Sequence, residues 1–539
     1  MKTDIFFEKI FARRSAICFF LLMLMLLTCV LRVAVIISGD YTAVQKAQSS
    51  YKITLSNLRG TIYDCNMVPL TNTQKKIYAA AVPKPTSVTA ISQLISGESK
   101  ERVLESLKQN KPAVFEVSKE KSADGIAFTQ VYSQNTGQTP ATHIIGYTDA
   151  SGHGVSGIQA AYDELLYSNE KVSAVFTTDG KGNTLKGIEP YFENNLGEVL
   201  KGVVTTLDIN IQSIAERSAE EIECGAVLVA EAKTNKIKAS VSKPDFEIGS
   251  ISNYLKADNS PLLDRTLLGF SVGSAFKPCV AAAAIEKGEG DMIFNCTGAT
   301  HIIDRDFKCH KRDGHGVIGI KEALAQSCNT FFYTLSINTG GEAVYNMASS
   351  LSFGRSLKIA ENIETAKGNL TDIKRLSNPA SLANLGIGQG DLLLSPVAML
   401  NLYSAIAGDG TYHIPSLVEK TVKDGEYTEY DIGNPTRVMD KETAGILREY
   451  LKAVVTEGTG TNAKPLTTTA AGKTATAQTG RYNQNGIEIN NSWFCGFFPA
   501  EKPEYIVIVM AEESTTAAVT SVFSKIADEV TELNNISEE

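Results

Sequence analysis

The chain has 539 residues, 43% apolar and 21% charged, which excludes a largely disordered polymer and exceeds what one compact core usually holds. Two or three domains are therefore expected. Its 51 basic and 60 acidic residues leave a net charge of −9 without basic runs, which excludes a broad nucleic-acid-binding face. There is no Walker-type loop and no G-x-G-x-x-G opening a helix, so no nucleotide cofactor is expected.

Residues 15–31, SAICFFLLMLMLLTCVL, carry no charge, and VAVIIS follows Arg32. With its flank the run is long enough to cross a bilayer of roughly 30 Å. Lys2, Lys9, Arg13 and Arg14 precede it, predicting a cytoplasmic N-terminus and an extracytoplasmic remainder. The run outlasts a signal-peptide core and lacks a small-x-small cleavage site, which favours a retained anchor. The expected division is a cytoplasmic tail over 1–14, a transmembrane anchor over 15–38, a first extracytoplasmic domain over 39–198 and a second over 199–539.

The first extracytoplasmic block reads as β-rich, interrupted by helices in TSVTAISQLISGESKERVLESLKQN, where Ile91, Leu94 and Ile95 and then Val103, Leu104 and Leu107 keep an amphipathic spacing. It offers no nucleophile–base pair. The second block opens with a strand and helix in GVVTTLDINIQSIAERSAEEI, then a hairpin in GAVLVAEAKTNKIKASVS. A long helical region is expected from about Ser274 to Ala407. Strand patterns return in AAGKTATAQTG, NSWFCGFFPA and EYIVIVMAEES, and an amphipathic helix, SVFSKIADEVTELNN, closes the chain. Strands at both ends with helices between predict an α+β domain whose antiparallel sheet is built from both termini.

Within GFSVGSAFKPCV, Ser274 stands three residues before Lys277. On a helix that spacing puts both side chains on one face, so the amine can reach the hydroxyl. Serine is a weak nucleophile without a base, and lysine serves as one when desolvation or a second cation lowers its pKa. Taken alone, the pair reads more readily as a helix cap. Two further motifs change that reading: Ser327-Cys328-Asn329, and Lys473-Thr474-Ala475 on a strand-like stretch. The order S-x-x-K, S-x-N, K-T-x is that of serine acyltransferases that recognise penicillin.

With these motifs the chain resembles the class B penicillin-binding proteins, membrane-anchored peptidoglycan D,D-transpeptidases. RGTIYD (59–64), HIIGYTDASGHGVSGIQAAYDELL, VVTTLDINIQ, DRTLLGFSVGSAFKP, GIGQGDLLLSPVAM and NSWFCGFFPA extend the similarity over roughly residues 56–515. The resemblance implies a serine β-lactamase-like transpeptidase domain with an antiparallel sheet flanked by helices, behind an elongated β-rich pedestal. It implies that Ser274 attacks a stem-peptide carbonyl, Lys277 takes its proton, Ser327 relays one to the leaving D-Ala, and Asn329 holds Lys277 and the substrate amide. Lys473 keeps the site cationic. Thr474, Ala475 and Thr476 line the substrate, with the backbone N–H groups of Ser274 and Thr476 as oxyanion hole. Implied partners are stem peptides, β-lactams, the membrane, and a separate membrane glycosyltransferase with other cell-wall assembly proteins. No cofactor and no metal are implied.

The chain departs from the family at Ala475, where glycine is usual. The extra methyl keeps two alternatives open, a catalytically weakened scaffold and a β-lactam sensor. A D,D-carboxypeptidase is a third. Among nine cysteines, Cys296 and Cys309 lie close together in a loop-like stretch. A disulfide between them and two free thiols are the expected alternatives, ahead of a zinc set of Cys296, Cys309, His310 and His315. Cys65, Cys224, Cys279, Cys328 and Cys495 read as isolated thiols. His143, His153, Arg59 and Asp64 read as structural.

Overall fold

The computed structural model describes residues 2–38, 50–133, 137, 139–179, 181–185, 187–194, 201–482, 486 and 488–538. The N-terminal helix runs Lys2–Ser38, and Ile10–Ile37 is long and apolar enough to cross a membrane, with a mean hydropathy of 2.8. Its side chains over that span stand outside any core, as a bilayer-facing helix requires.

The chain divides into two compact units. The smaller contains residues 1–57, 75–131 and 170–195. In it the strands Gln74–Ala81, Ala113–Val117 and Ile126–Ser133 form one sheet. The helices Pro85–Leu94 and Gly97–Lys108 bury Ile91, Leu94, Val103 and Leu107 in the apolar cluster that includes Ala79, Phe115 and Val117. The amphipathic spacing read from the sequence is the face that is buried.

The larger unit takes residues 58–74, 132–169 and 196–539. The expected boundary at residue 198 is thus crossed by two earlier segments. The first returns because Thr61–Tyr63 pairs in parallel with Gly202–Thr205. Asp64 accepts from the backbone N–H of Asn66 and Val68 at 2.8 and 2.7 Å and of Ile209 at 3.3 Å. The second segment is tied by Arg59, whose guanidinium meets Gln159 and Asp163 at 2.6 and 2.7 Å. His143 reaches the Pro261 carbonyl oxygen at 2.7 Å, and His153 reaches Asp163 at 2.8 Å. All four are structural here.

The centre of this unit is a five-stranded antiparallel sheet in the order Ile237–Lys243, Gly225–Glu231, Tyr505–Glu512, Glu488–Phe498, Ala471–Tyr482. Strands from both ends of the domain sequence meet in it, as expected. Side chains alternate between faces, and both faces are covered, so the strands read as nearly unbroken apolar runs. Val227, Val229, Phe494, Val507 and Val509 face the closing helix Thr516–Glu538 through Val519, Val522, Phe523 and Ile526. Leu228, Trp493, Cys495, Phe497, Ile508 and Met510 belong to the core shared with the helices.

Among those helices, Lys277–Glu286 buries an alanine run, which lets neighbours pack close. Pro396–Ala407 is buried along almost its whole length and starts where the Ser395 hydroxyl accepts from the Ala398 N–H at 3.1 Å. The helical region from Ser274 to Ala407 is not continuous. Three short antiparallel pairs interrupt it: the hairpins Phe294–Cys296 with Gly316–Ile318 and Ala299–Ile302 with Arg305–Lys308, and further on Lys358–Ala360 with Ile363–Glu364. The cause is local. Gly298 and Gly314 hold φ of +94° and +79°, and a Cβ at Gly314 would stand 2.0 Å from the Cys296 carbonyl oxygen.

Candidate active site

Gly273–Phe276 form a tight 3-10 turn that runs directly into the helix beginning at Lys277. In such a turn, residues three apart eclipse, so Ser274 and Lys277 share a face. Gly273 holds φ +52° and its N–H donates to the Gly388 carbonyl at 3.0 Å. A Cβ there would press on Ala477 at 3.1 Å and on the Thr476 carbonyl oxygen at 3.2 Å. Glycine therefore lets the Ser274 turn lie against the strand Ala471–Tyr482. Two more bonds fix the turn: the Trp493 indole N–H donates to the Ser271 carbonyl at 2.9 Å, and the Tyr403 hydroxyl to the Ala275 carbonyl at 3.2 Å.

Lys277 is fully buried. Its amine donates to the Ser327 carbonyl at 2.8 Å and to Asn329 Oδ1 at 2.8 Å, and lies 3.3 Å from the Ser327 hydroxyl. It also stands 5.3 Å from the centre of the Phe332 ring. Burial pulls its pKa from 10.5 down to about 7, against a smaller opposing pull from Cys328 and Cys309. Ser327 holds φ +54°, a strained conformation for a residue with a side chain, just before the helix Asn329–Thr339. That turn aims the Ser327 carbonyl, its hydroxyl and Asn329 at one amine.

Lys473 and Thr474 are also buried, on the strand Ala471–Tyr482 that edges the sheet. The Lys473 amine donates to the Thr474 carbonyl at 3.0 Å. Burial drives its pKa well below 10.5, and the Lys277 charge acts in the same direction. Thr474 Oγ1 sits 2.7 Å from Thr459 Oγ1, while Thr476 is exposed and meets Thr516 at 3.2 Å. Ala475 is 3% exposed and stands opposite Trp493 in the ladder, in the same apolar cluster as Val272 and Ala275. Its methyl is thus packed inward.

Lys277, Ser327 and Asn329 are thus joined by hydrogen bonds, Ser274 stands one turn before Lys277, and Lys473 lies near enough for the Lys277 charge to act on it. Sequence reading did not single out Thr459, Trp493 or Tyr403 as parts of this arrangement. NSWF carried the tryptophan only as a resemblance, and nothing in the surrounding residues marked the other two. A cavity of about 780 Å³ lined by Glu221, Asp258, Arg265, Arg481 and Glu512 lies apart from these residues and holds no serine–lysine pair.

Residues 225–532 match the family described as the penicillin binding protein transpeptidase domain. The chain belongs to the penicillin-binding protein transpeptidase family. Within that family its relatives group it with the class B penicillin-binding proteins. It is 29% identical over 390 residues to stage V sporulation protein D of Bacillus subtilis, an alignment covering 69% of this chain and 58% of that protein. It is 27% identical over 476 residues to the penicillin-binding protein PbpB of Mycolicibacterium smegmatis, covering 82% and 70%. The fold matches the D,D-transpeptidase domain of a peptidoglycan glycosyltransferase from Eggerthella lenta, with TM-score 0.65, 23% identity, and 89% of this chain and 100% of that one covered. It also matches penicillin binding protein 3 from Mycobacterium tuberculosis complexed with aztreonam, with TM-score 0.65, 22% identity, and 90% and 98% covered.

Of the two alternatives expected for Cys296 and Cys309 the structure has the free thiols, and Cys328 departs from its reading as an isolated thiol. Cys296 and Cys309 are free thiols, not a disulfide, because each faces other partners. Cys309 Sγ lies 3.9 Å from Cys328 Sγ and 3.6 Å from His315 Nδ1, and Cys296 Sγ lies 3.5 Å from the same nitrogen. Cys328, read as isolated, is part of this group. His310 contacts Cys309 at 3.9 Å but stands outside it.

Proposed function

We propose that this chain is a membrane-anchored peptidoglycan D,D-transpeptidase that works through a serine acyl-enzyme and is acylated by β-lactams. The observation that carries this reading is the Lys277 amine: buried, with a pKa near 7, and hydrogen-bonded to Ser327 and Asn329 one turn from Ser274. A base of that pKa is half neutral at ordinary pH, which suits proton abstraction from a serine hydroxyl.

Ser274 Oγ attacks the carbonyl carbon of the penultimate D-Ala while its proton passes to Lys277 Nζ. The backbone N–H groups of Ser274 and Thr476 hold the developing oxyanion; the close approach of Gly273 to Thr476 supports that pairing. The C–N bond breaks as the Ser327 hydroxyl protonates the departing D-Ala amine and recovers a proton from Lys277. An amine of a neighbouring stem peptide then attacks the ester, loses its proton back along the same path, and Ser274 is released as a hydroxyl. Asn329 orients Lys277 and the substrate amide, Thr474 binds the substrate carboxylate, and Lys473 supplies positive potential.

The strand Ala471–Tyr482 pairs on one side only, so its other edge can take an extended peptide as an added strand. The inward-packed Ala475 methyl leaves that edge clear, which favours an active enzyme over a weakened scaffold or sensor. The Arg and Lys residues ahead of the apolar helix support a cytoplasmic N-terminus with the catalytic unit outside. A separate membrane glycosyltransferase would then make the glycan, and the extracytoplasmic part of the smaller unit, with residues 75–131 and 170–195, would serve as the pedestal.

The test is acylation of the full chain in detergent by a fluorescent penicillin, with intact-mass detection. The wild type should take one label and Ser274→Ala none. An unlabelled wild type overturns the enzymatic reading. A D,D-carboxypeptidase is distinguished by its products: a donor stem peptide plus an acceptor amine should give a cross-linked dimer rather than only the hydrolysed tetrapeptide.

A further inference from the structure

We propose that Cys296, Cys309, Cys328 and His315 form a zinc site that fixes the Ser327–Asn329 turn against the two hairpins. One atom from each of the four residues lies within 4.8 Å of every other. Tetrahedral zinc with Zn–S of about 2.3 Å and Zn–N of about 2.0–2.1 Å requires sulfur atoms about 3.8 Å apart and sulfur–nitrogen separations of about 3.6 Å. The observed Cys309–Cys328 separation is 3.9 Å, and the Cys309–His315 and Cys296–His315 separations are 3.6 and 3.5 Å. A disulfide would bring two sulfurs to about 2.05 Å and leave the third cysteine and the histidine without a role.

The surroundings suit a metal rather than loose thiols. The three cysteines are buried and the histidine is half-buried. Three thiols and one imidazole form a soft donor set, which favours zinc over magnesium or calcium. The Thr330 hydroxyl donates to Cys296 Sγ at 3.0 Å, and the backbone N–H groups of Lys311 and Thr330 face Cys309 Sγ. Such donors orient and stabilise thiolate ligands. The backbone is shaped for it too. Gly314 turns with φ +79° against the Cys296 carbonyl and so delivers His315, and the Cys309 N–H donates to the Gly298 carbonyl at 2.8 Å. Binding converts three Cys S–H groups to thiolates and releases their protons, while the neutral His315 coordinates through Nδ1 and keeps its proton on Nε2.

The position gives the site a task. Cys328 lies between Ser327 and Asn329, the two residues that hold Lys277. Zinc would tether the middle of that strained turn, so it acts as a positioning element and touches no reacting atom. The proposed site differs from the sequence reading, which expected no metal and named His310 rather than Cys328 in its least favoured alternative. The effect on acylation rests on the proposed function; the metal content does not.

The experiment measures metal in the full chain, purified in detergent under reducing conditions, by inductively coupled plasma mass spectrometry. One zinc per chain is expected, retained in His310→Ala and lost from Cys309→Ser and His315→Ala. Thr330→Val should weaken zinc affinity by about tenfold while keeping the ligands. Stripping zinc with a chelator should lower Tm and slow penicillin acylation, with zinc restoring both, and cobalt in its place should show a tetrahedral thiolate spectrum. Wild-type chain that holds no zinc and binds none on addition overturns the proposal, as does stoichiometric iron or a Cys296–Cys309 disulfide in the reduced preparation. Stoichiometric zinc in a chain that never acylates would leave the metal site standing and defeat the enzymatic reading alone.

Discussion

The two sides of the candidate active site are built on different principles. The Lys473–Thr476 side belongs to a regular antiparallel ladder, in which Lys473, Thr474, Ala475 and Thr476 stand opposite Cys495, Phe494, Trp493 and Ser492. Its geometry is carried by many repeated bonds, each replaceable. The Ser327–Asn329 side is a single turn with Ser327 at φ +54°, held by bonds to one lysine amine and by the thiol cluster around Cys328. A ladder tolerates local change; a strained turn keeps its shape only while its ties hold. Between them lies Ser274, pressed against the ladder through Gly273.

The comparison can be broken at graded points. The largest effect is expected at Ser274 and Lys277. Ser274→Ala should abolish labelling by fluorescent penicillin, and Lys277→Met should slow acylation by roughly 10⁴-fold, since nucleophile and base act as one unit. Stopped-flow or mass-spectrometric acylation rates check both, and unchanged Tm for Ser274→Ala would show that the fold is intact.

Gly273→Ala tests the contact between turn and ladder. The methyl meets Ala477 at 3.1 Å and forces alanine to φ +52°. A stability loss of about 1–2 kcal/mol is expected from the backbone alone, read by denaturant unfolding. Acylation should fall with it by about 10–100-fold, because a shift of about 1 Å in the nucleophile costs that much. A fully active Gly273→Ala would show that the Ser274 turn does not depend on the strand.

The pH dependence follows from Lys277. Its folded-state pKa lies near 7, below the usual 10.5, and the proposed mechanism uses the neutral amine. Acylation should therefore rise with pH through about 7 and level off above it, with roughly one tenth of the amine neutral at pH 6 and nine tenths at pH 8. A rate that falls across that interval would remove Lys277 from the role of base.

Ala475→Gly should have the smallest effect. The methyl is buried beside Trp493 on a regular strand, so its loss should cost about 0.5–1 kcal/mol of stability and leave acylation within a fewfold of wild type. A large gain in acylation would show instead that the methyl closes the site.

The elements whose signal is local were legible in the sequence. The hairpin of residues 225–243, the amphipathic helices over 85–108 and the apolar N-terminal helix all follow from period and turn residues alone. The motif order that brings Ser274, Lys277, Ser327, Asn329 and Lys473 into one reading was also visible there. Three features were not. Residues 58–74 and 132–169 join the larger unit through contacts that span more than a hundred positions, such as Arg59 with Asp163 and Thr205 with Tyr63. Thr459 meets Thr474 across two separate segments. Cys328 joins Cys296, Cys309 and His315 only after two hairpins fold back.

The sequence by itself determined the three short motifs and their order, which point to a serine acyltransferase with Ser274 as the proposed nucleophile and Lys277 as its proposed base, because motif order depends on residue type and spacing along the chain. Tertiary structure alone decided the rest. Which way the Ala475 methyl points depends on the faces of a sheet built from both ends of the domain. Whether Lys277 is neutral depends on how completely its surroundings exclude water. Whether Cys296 pairs with Cys309 or shares a site with Cys328 and His315 depends on distances between atoms that no spacing along the chain encodes.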